Sequence, residues 1–426
     1  MITANPFYAL ADTIPVFVMQ LFVILMAALV ILGTLIDIIH KKYVRYFFEN
    51  EIKPFVEELD RNEDFPLDNI KKIAQQGYMG LNVPKEYGGM GKDKIEYGIF
   101  LEELGRVCAA HGTIVGAHLG LCIIPILLFG TEEQKKKYLP SLSSGEKLGA
   151  FALTESGAGS DAANIQTTAV EDGNEYVLNG SKIFCTNGNI SDVTIIFAAN
   201  DRSLGPMGGI SAFIVEKDTP GFSVGKIETK MGIRASHTAE LLFDNCRIPK
   251  ENLLGTLGAG FVVALTTLDG GRVSLAAGSL GAAEKVLETC VELLRNDSVE
   301  GGNLAERQSI QWKLADLAME VHASKFMVYN TLSEIEKYYE LISAGEKIPR
   351  QLRDRVSRGS AISKAYVTEV ASRAITKAME IQGVNSIKDG HEIERAFRDS
   401  FISEIYEGTN EIQRMLIARE LLGLGN

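Results

Sequence analysis

The chain has 426 residues, more than one hydrophobic core can hold, and its 46% hydrophobic and 23% charged residues are those of an ordinary globular protein of two or three domains. A net charge of −12 and a pI near 5.2 argue against a nucleic-acid ligand, which requires basic patches to neutralise phosphates. Cys108, Cys122, Cys185, Cys246 and Cys290 show no CxxC or Cys/His spacing and the six histidines no HExxH pattern, so no metal site or disulfide framework is expected and a reducing compartment fits.

Residues 16–36 are almost continuously apolar, interrupted only by Gln20, Gly33 and Thr34. At 1.5 Å per residue such a helix spans about 30 Å, the thickness of a bilayer core. A buried globular helix would rarely be apolar on every face, and a cleaved signal peptide would carry Lys or Arg before the apolar run and small residues after it. Here His40, Lys41, Lys42 and Arg45 follow the run, with Tyr43, Tyr46, Phe47 and Phe48 available at an interface. The positive-inside rule then predicts a single-pass anchor in the inner (cytoplasmic) membrane, with the large C-terminal part cytoplasmic.

From residue 51 to 149 the apolar spacing is helical, with 94–108 and 131–142 the clearest helices. From 150 to 254 the period changes to two, with strands over 176–178, 182–185, 193–198 and 212–215, and Asn179-Gly180 reads as a hairpin turn between the first two. Beyond Gly255 long helices return over 261–295, 305–344 and 352–382. The expected order is an anchor (1–40), a helical domain (41–149), a β domain (150–254) and a helical bundle (255–426), an α+β architecture.

The β domain opens with Leu153-Thr154-Glu155-Ser156-Gly157-Ala158-Gly159-Ser160-Asp161, where glycines let backbone N–H groups approach a ligand and the hydroxyls of Thr154 and Ser160 complete a polar cradle. No GxGxxG opens a helix after a strand, so this is not a Rossmann fingerprint. Near the C-terminus, Glu407 precedes Gly408, Thr409 and Asn410, two good N-cap residues ahead of an amphipathic run. Spacing alone leaves Glu407 either an acid aimed into a cleft or a solvated loop carboxylate.

Together these segments resemble the acyl-CoA dehydrogenase family over nearly everything after about residue 50. The stretches that carry the resemblance are Glu86-Tyr87-Gly88-Gly89-Met90-Gly91, the 153–161 run, Lys182-Ile183-Phe184-Cys185-Thr186-Asn187-Gly188, Lys230-Met231-Gly232-Ile233-Arg234-Ala235-Ser236, Asp269-Gly270-Gly271-Arg272, Arg398-Asp399 and Tyr406-Glu407-Gly408-Thr409. The resemblance implies an N-terminal helical domain, a central β-barrel-like domain and a C-terminal four-helix bundle, with FAD between them. It implies that Leu153, Thr154, Phe184, Thr186 and Thr409 contact FAD, that Ser160 contacts the CoA thioester arm, and that Glu407 is the catalytic base of the short- and medium-chain type. Some relatives carry the base immediately before Arg272, where this chain has Gly271. Asp269 and Arg272 would orient the thioester or its CoA, or else form a pair that fixes their helix.

The implied activity is α,β-dehydrogenation of an acyl-CoA to a trans-2-enoyl-CoA, with electrons passed to electron-transferring flavoprotein or a membrane quinone system. A membrane-tethering subunit that keeps the fold without turnover is the alternative. Two segments depart from the family. The Arg-x-x-Phe-Gly clasp that reaches a neighbouring subunit's FAD is replaced by Arg295-Asn296-Asp297-Ser298-Val299-Glu300-Gly301-Gly302, and the Gln-x-x-Gly-Gly-x-Gly-aromatic clasp by Glu380-Ile381-Gln382-Gly383-Val384-Asn385-Ser386-Ile387. An oligomer is expected, either a heteromer whose related partner supplies these clasps or a homo-oligomer that tolerates weaker adenine contacts.

Overall fold

The computed structural model describes residues 39–296 and 303–424 and divides into two units, 1–47 and 48–426. In the first unit the described residues, 39–47, are helical, and the membrane helix expected over 16–36 lies outside the described residues. Among the described residues, only Ala109–Phe129 is long and apolar enough to cross a membrane by length and composition, and 67% of its most apolar window is buried inside the protein.

The second unit opens with helices α1 (Lys53–Asn62), α2 (Leu67–Gln75), α3 (Lys94–Val107) and α4 (Ala109–Gly116). A π-helical stretch, Ala117–Ile123, leads to α5 (Ile124–Phe129), followed by α6 (Glu132–Ser143). Local chemistry sets these starts. The Asp93 side chain accepts from the Glu96 N–H at 2.8 Å ahead of α3, and Thr131 and Gln134 form a capping box at α6.

The β domain holds β1 (Gly149–Ala152), β2 (Thr168–Asp172), β3 (Glu175–Thr186), β4 (Val193–Ala199), β5 (Ile210–Glu216), β6 (Phe222–Ile227), β7 (Thr238–Pro249) and β8 (Leu253–Leu254). They form one sheet in the order β6-β7-β3-β2-β4-β5-β8, with β1 parallel to β4. Every residue of β4 is buried, and Leu178, Ile196, Phe213, Leu241 and Ile248 belong to the core beneath the sheet. The hairpin expected at Asn179-Gly180 is not formed: β3 runs straight through it, antiparallel to β7, with a register shift between Leu178 and Gly180. The Asn179 side chain accepts from the Asn245 N–H on β7 at 2.8 Å, so the pair marks a bulge. The turn into β3 is instead at Gly173, with φ 61°.

The C-terminal region comprises α7 (Gly260–Asn296), α8 (Gln308–Ser343), α9 (Arg350–Gln382), α10 (Glu392–Ser403) and α11 (Asn410–Leu421). Helices α7, α8 and α9 pack on one another, α11 packs on α9, and α3 packs across α7. Glycine makes the last crossing tight. A Cβ at Gly105 would lie 2.1 Å from the Gly278 carbonyl oxygen, and one at Gly281 would lie 1.8 Å from that of Glu102.

Candidate active site

All nine residues singled out from the sequence line one cavity of about 1450 Å³: Leu153, Thr154, Ser160, Phe184, Thr186, Asp269, Arg272, Glu407 and Thr409. A drug-sized ligand needs on the order of 300–1,000 Å³, so this space accommodates a large cofactor together with a substrate.

Glu407 sits in the turn between α10 and α11 at φ 59°, followed by Gly408 at φ 86°. The left-handed region is costly for a residue with a Cβ and persists where the surroundings over-determine it. Here Arg272 Nε and Gln413 Nε2 each donate to the Glu407 carbonyl at 3.2 Å, and Gln413 Nε2 also donates to the Gly408 carbonyl at 2.8 Å. Thr409 caps α11 by accepting from the Ile412 N–H at 3.3 Å. The Glu407 N–H donates to no group among the described residues.

The Glu407 carboxylate faces α7 at Gly271, where a Cβ would lie 2.7 Å from Oε2, and Oε2 is buried without a hydrogen-bond partner. Burial raises its pKa from 4.5 to about 7, against the pull of Arg272 and Lys364. Arg272 Nη1 donates to Asp269 Oδ1 at 2.7 Å, and burial raises Asp269 to about 6 despite that partner. The pair is therefore joined to itself and, through Arg272, to the Glu407 turn.

On the sheet side, Leu153 and Thr154 follow β1, and the Ile183 N–H donates to the Thr154 carbonyl at 2.9 Å. Phe184, at φ 55° beside a register shift in β3, leaves 61% of its surface open at the cavity, and Thr186 ends the strand. The hydroxyls of Thr154, Ser160 and Thr186 make no hydrogen bond among the described residues. Gly157 and Gly159 have nothing within 4 Å of where a Cβ would stand. Free hydroxyls, the open Gly159 and an exposed aromatic on one wall fit a large polar, ring-bearing cofactor such as FAD.

Two buried lysines were missed in the sequence. Lys182 Nζ donates to Glu155 Oε1 at 2.7 Å and to the Leu153 carbonyl at 3.1 Å, while the N–H groups of Gln166 and Thr167 donate to the same carboxylate. The pair thus clamps the loop that carries Thr154. Lys182 shares the buried phase of its strand with Tyr176 and Leu178, a period-two signal that was available. Lys364 on α9 is fully buried, donates to Asn410 Oδ1 at 2.8 Å, and is lowered by burial to about 8.

Comparison with known proteins agrees with this geometry. Models for the N-terminal, middle and C-terminal domains of acyl-CoA dehydrogenase match residues 39–146, 150–246 and 258–422. The short-chain specific acyl-CoA dehydrogenase of Clostridium acetobutylicum is 43% identical over 381 residues, 89% of this chain and 96% of the relative. The solved butyryl-CoA dehydrogenase of Megasphaera elsdenii superposes with a TM-score of 0.84 at 39% identity, covering 91% of this chain and 98% of that one. A chain from a structural study of the electron transferring flavoprotein of Acidaminococcus fermentans gives 0.83 at 41% identity, covering 91% and 97%. Solved relatives include an acyl-CoA dehydrogenase complexed with FAD.

Proposed function

Because the chain belongs to the acyl-CoA dehydrogenase family, we propose that it removes the α- and β-hydrogens of an acyl-CoA to give a trans-2-enoyl-CoA and passes the electrons to electron-transferring flavoprotein. The observation that carries this reading is the Glu407 carboxylate, buried, unpartnered at Oε2 and raised to about 7 in the cavity whose sheet-side wall presents the free hydroxyls of Thr154, Ser160 and Thr186.

FAD held by Leu153, Thr154, Phe184, Thr186 and Thr409 would supply the acceptor for the β-hydrogen, which departs as a hydride. Glu407 takes the α-proton, and the two C–H electron pairs leave one new C=C bond and one hydride. A base with a pKa near ambient pH is suited to this transfer. The free Glu407 N–H is available to the thioester oxygen as enolate charge develops; donors of this kind are typically worth about 3 kcal/mol. Arg272 and Asp269 hold the turn that aims both groups. The acyl chain lies between α4 and α7, where Gly112 and Gly116 leave open space opposite Leu275 and Gly278.

The apolar run over 16–36 and the cations that follow it support a single anchor in the cytoplasmic membrane, with the catalytic part on the cytoplasmic face and a membrane quinone system as the eventual sink. Tethering raises the effective concentration of acceptor encounters without new contacts. The altered clasps support a heteromer with a related subunit. Glu380, in the second clasp, is held by Lys313, while Val384 and Ile387 are exposed. Anaerobic incubation of the FAD-loaded protein with acyl-CoAs of several lengths is the test. One equivalent of trans-2-enoyl-CoA per FAD is expected; no enoyl product at any length, with partner subunits present, would overturn the reading.

A further inference from the structure

Lys364 is an unusual charge for the interior of a helical bundle. It lies midway along α9 with none of its surface exposed, and among the described residues no carboxylate comes within 4.0 Å of its ammonium. Among the described residues its ammonium makes one hydrogen bond, to Asn410 Oδ1 at 2.8 Å. Asn410 is the first residue of α11 and is gripped by α9 on its other side, where its Nδ2 donates to Thr368 Oγ1 at 3.1 Å and Glu369 Oε1 at 3.2 Å. Its N–H donates to the Glu404 carbonyl at 2.9 Å, which closes the loop that contains Glu407. A buried ammonium without an ion-pair partner costs more than an apolar side chain of the same volume, so packing does not account for it.

The charges that face Lys364 come from three directions: Glu407 and Glu404 from the α10–α11 junction, Glu411 from α11, and Arg272 from α7. Glu407 is the leading carboxylate among them, and Arg272 opposes. A Lys364 charge in the dry bundle behind the turn is not screened by water, and substrate entering from the cavity side does not displace it.

We propose that Lys364 is a positioning residue for the reaction: through Asn410 its ammonium fixes the 407–409 turn, and its unscreened charge keeps the Glu407 carboxylate in the proton-accepting form when the acyl chain has driven water from the cavity. This rests on the reading of Glu407 as the base. It assigns Lys364 no contact with substrate, and its effect is read in the pH profile.

The test uses the FAD-loaded full chain and kcat for one saturating acyl-CoA across pH, which reports the substrate-bound enzyme. Lys364→Gln keeps a donor for Asn410 and removes the charge; its acid limb is expected to move to higher pH by about half a unit or more, the scale of one nearby unscreened charge. Lys364→Arg restores the charge and is expected to return the limb to within about 0.2 unit of wild type. If Lys364→Gln fails to fold, Lys364→Met, which fills the site with apolar atoms, carries the same measurement. An acid limb unmoved in the neutral variant at full FAD content, with Glu407→Gln inactive, overturns the proposal for Lys364 alone. A Glu407→Gln enzyme with wild-type kcat overturns the underlying reading of the base instead.

Discussion

A carboxylate in water titrates near 4.3, too acidic to take a proton efficiently from carbon at neutral pH, and the wall of this cavity changes that by withholding solvent. With the pKa of Glu407 raised to about 7, kcat/KM should rise through that value from the acid side, because only the ionised form accepts the α-proton. The same shift has a cost in stability. A folded-state pKa above the unfolded value means that the native state binds this proton more tightly, so the contribution of Glu407 to stability is fully present below about 4.5 and is lost as pH climbs through about 7. Glu407→Gln should therefore be more stable than wild type at pH 8, by up to about 3 kcal/mol, with the difference closing near pH 4 in denaturant melts. Gly271→Ala places a methyl 2.7 Å from Oε2. The carboxylate end can swing away at little cost to folding, but a base misplaced by about 1 Å should lose tenfold or more in kcat. That Glu407 and the other eight expected residues line one cavity was legible because short motifs fix their positions. Lys364 was not, since a lysine in a helix ordinarily marks the solvent face and nothing local shows that α9 is enclosed at that turn.

At the scale of elements, the long helices α3, α7, α8 and α9 were readable from apolar periodicity to within a few residues, because length averages out local noise. The sheet was read less well. Asn179-Gly180 has the strongest short-range hairpin composition, yet β7 supplies a partner along the whole of β3, and continuous pairing outweighs the turn preference. The close crossing of α3 and α7 was also hidden, since it depends on which glycines of two distant helices meet. Gly281→Ala would drive a methyl into the Glu102 carbonyl, backbone that cannot yield, and should destabilise by about 1–3 kcal/mol, seen as a lower melting temperature. Gly116→Leu acts on the other face of this layer. Filling the open space on α4 should lower kcat/KM for long acyl-CoAs relative to butyryl-CoA by tenfold or more, since each excluded methylene forfeits about 0.8 kcal/mol. An unchanged chain-length profile would place the acyl tail elsewhere.

For the whole molecule, the order of helical, sheet and helical domains was legible because seven motifs keep their sequence order, whereas the assembly was not, because subunit contacts leave little trace in one chain. Expressed alone, the chain should bind FAD substoichiometrically and gain occupancy with a related subunit; full occupancy by itself would favour a homo-oligomer. Removing residues 1–40 should release the catalytic part from membranes, and its retention would assign anchoring to another subunit. The most direct test of the central claim is the anaerobic single-turnover rate at which acyl-CoA bleaches the bound FAD, measured across pH for wild type and Glu407→Gln. Rapid bleaching that rises through pH about 7 in wild type, and falls by a hundredfold or more in the variant, is the predicted result. Bleaching of Glu407→Gln at the wild-type rate, or of neither protein by any acyl-CoA, would contradict it.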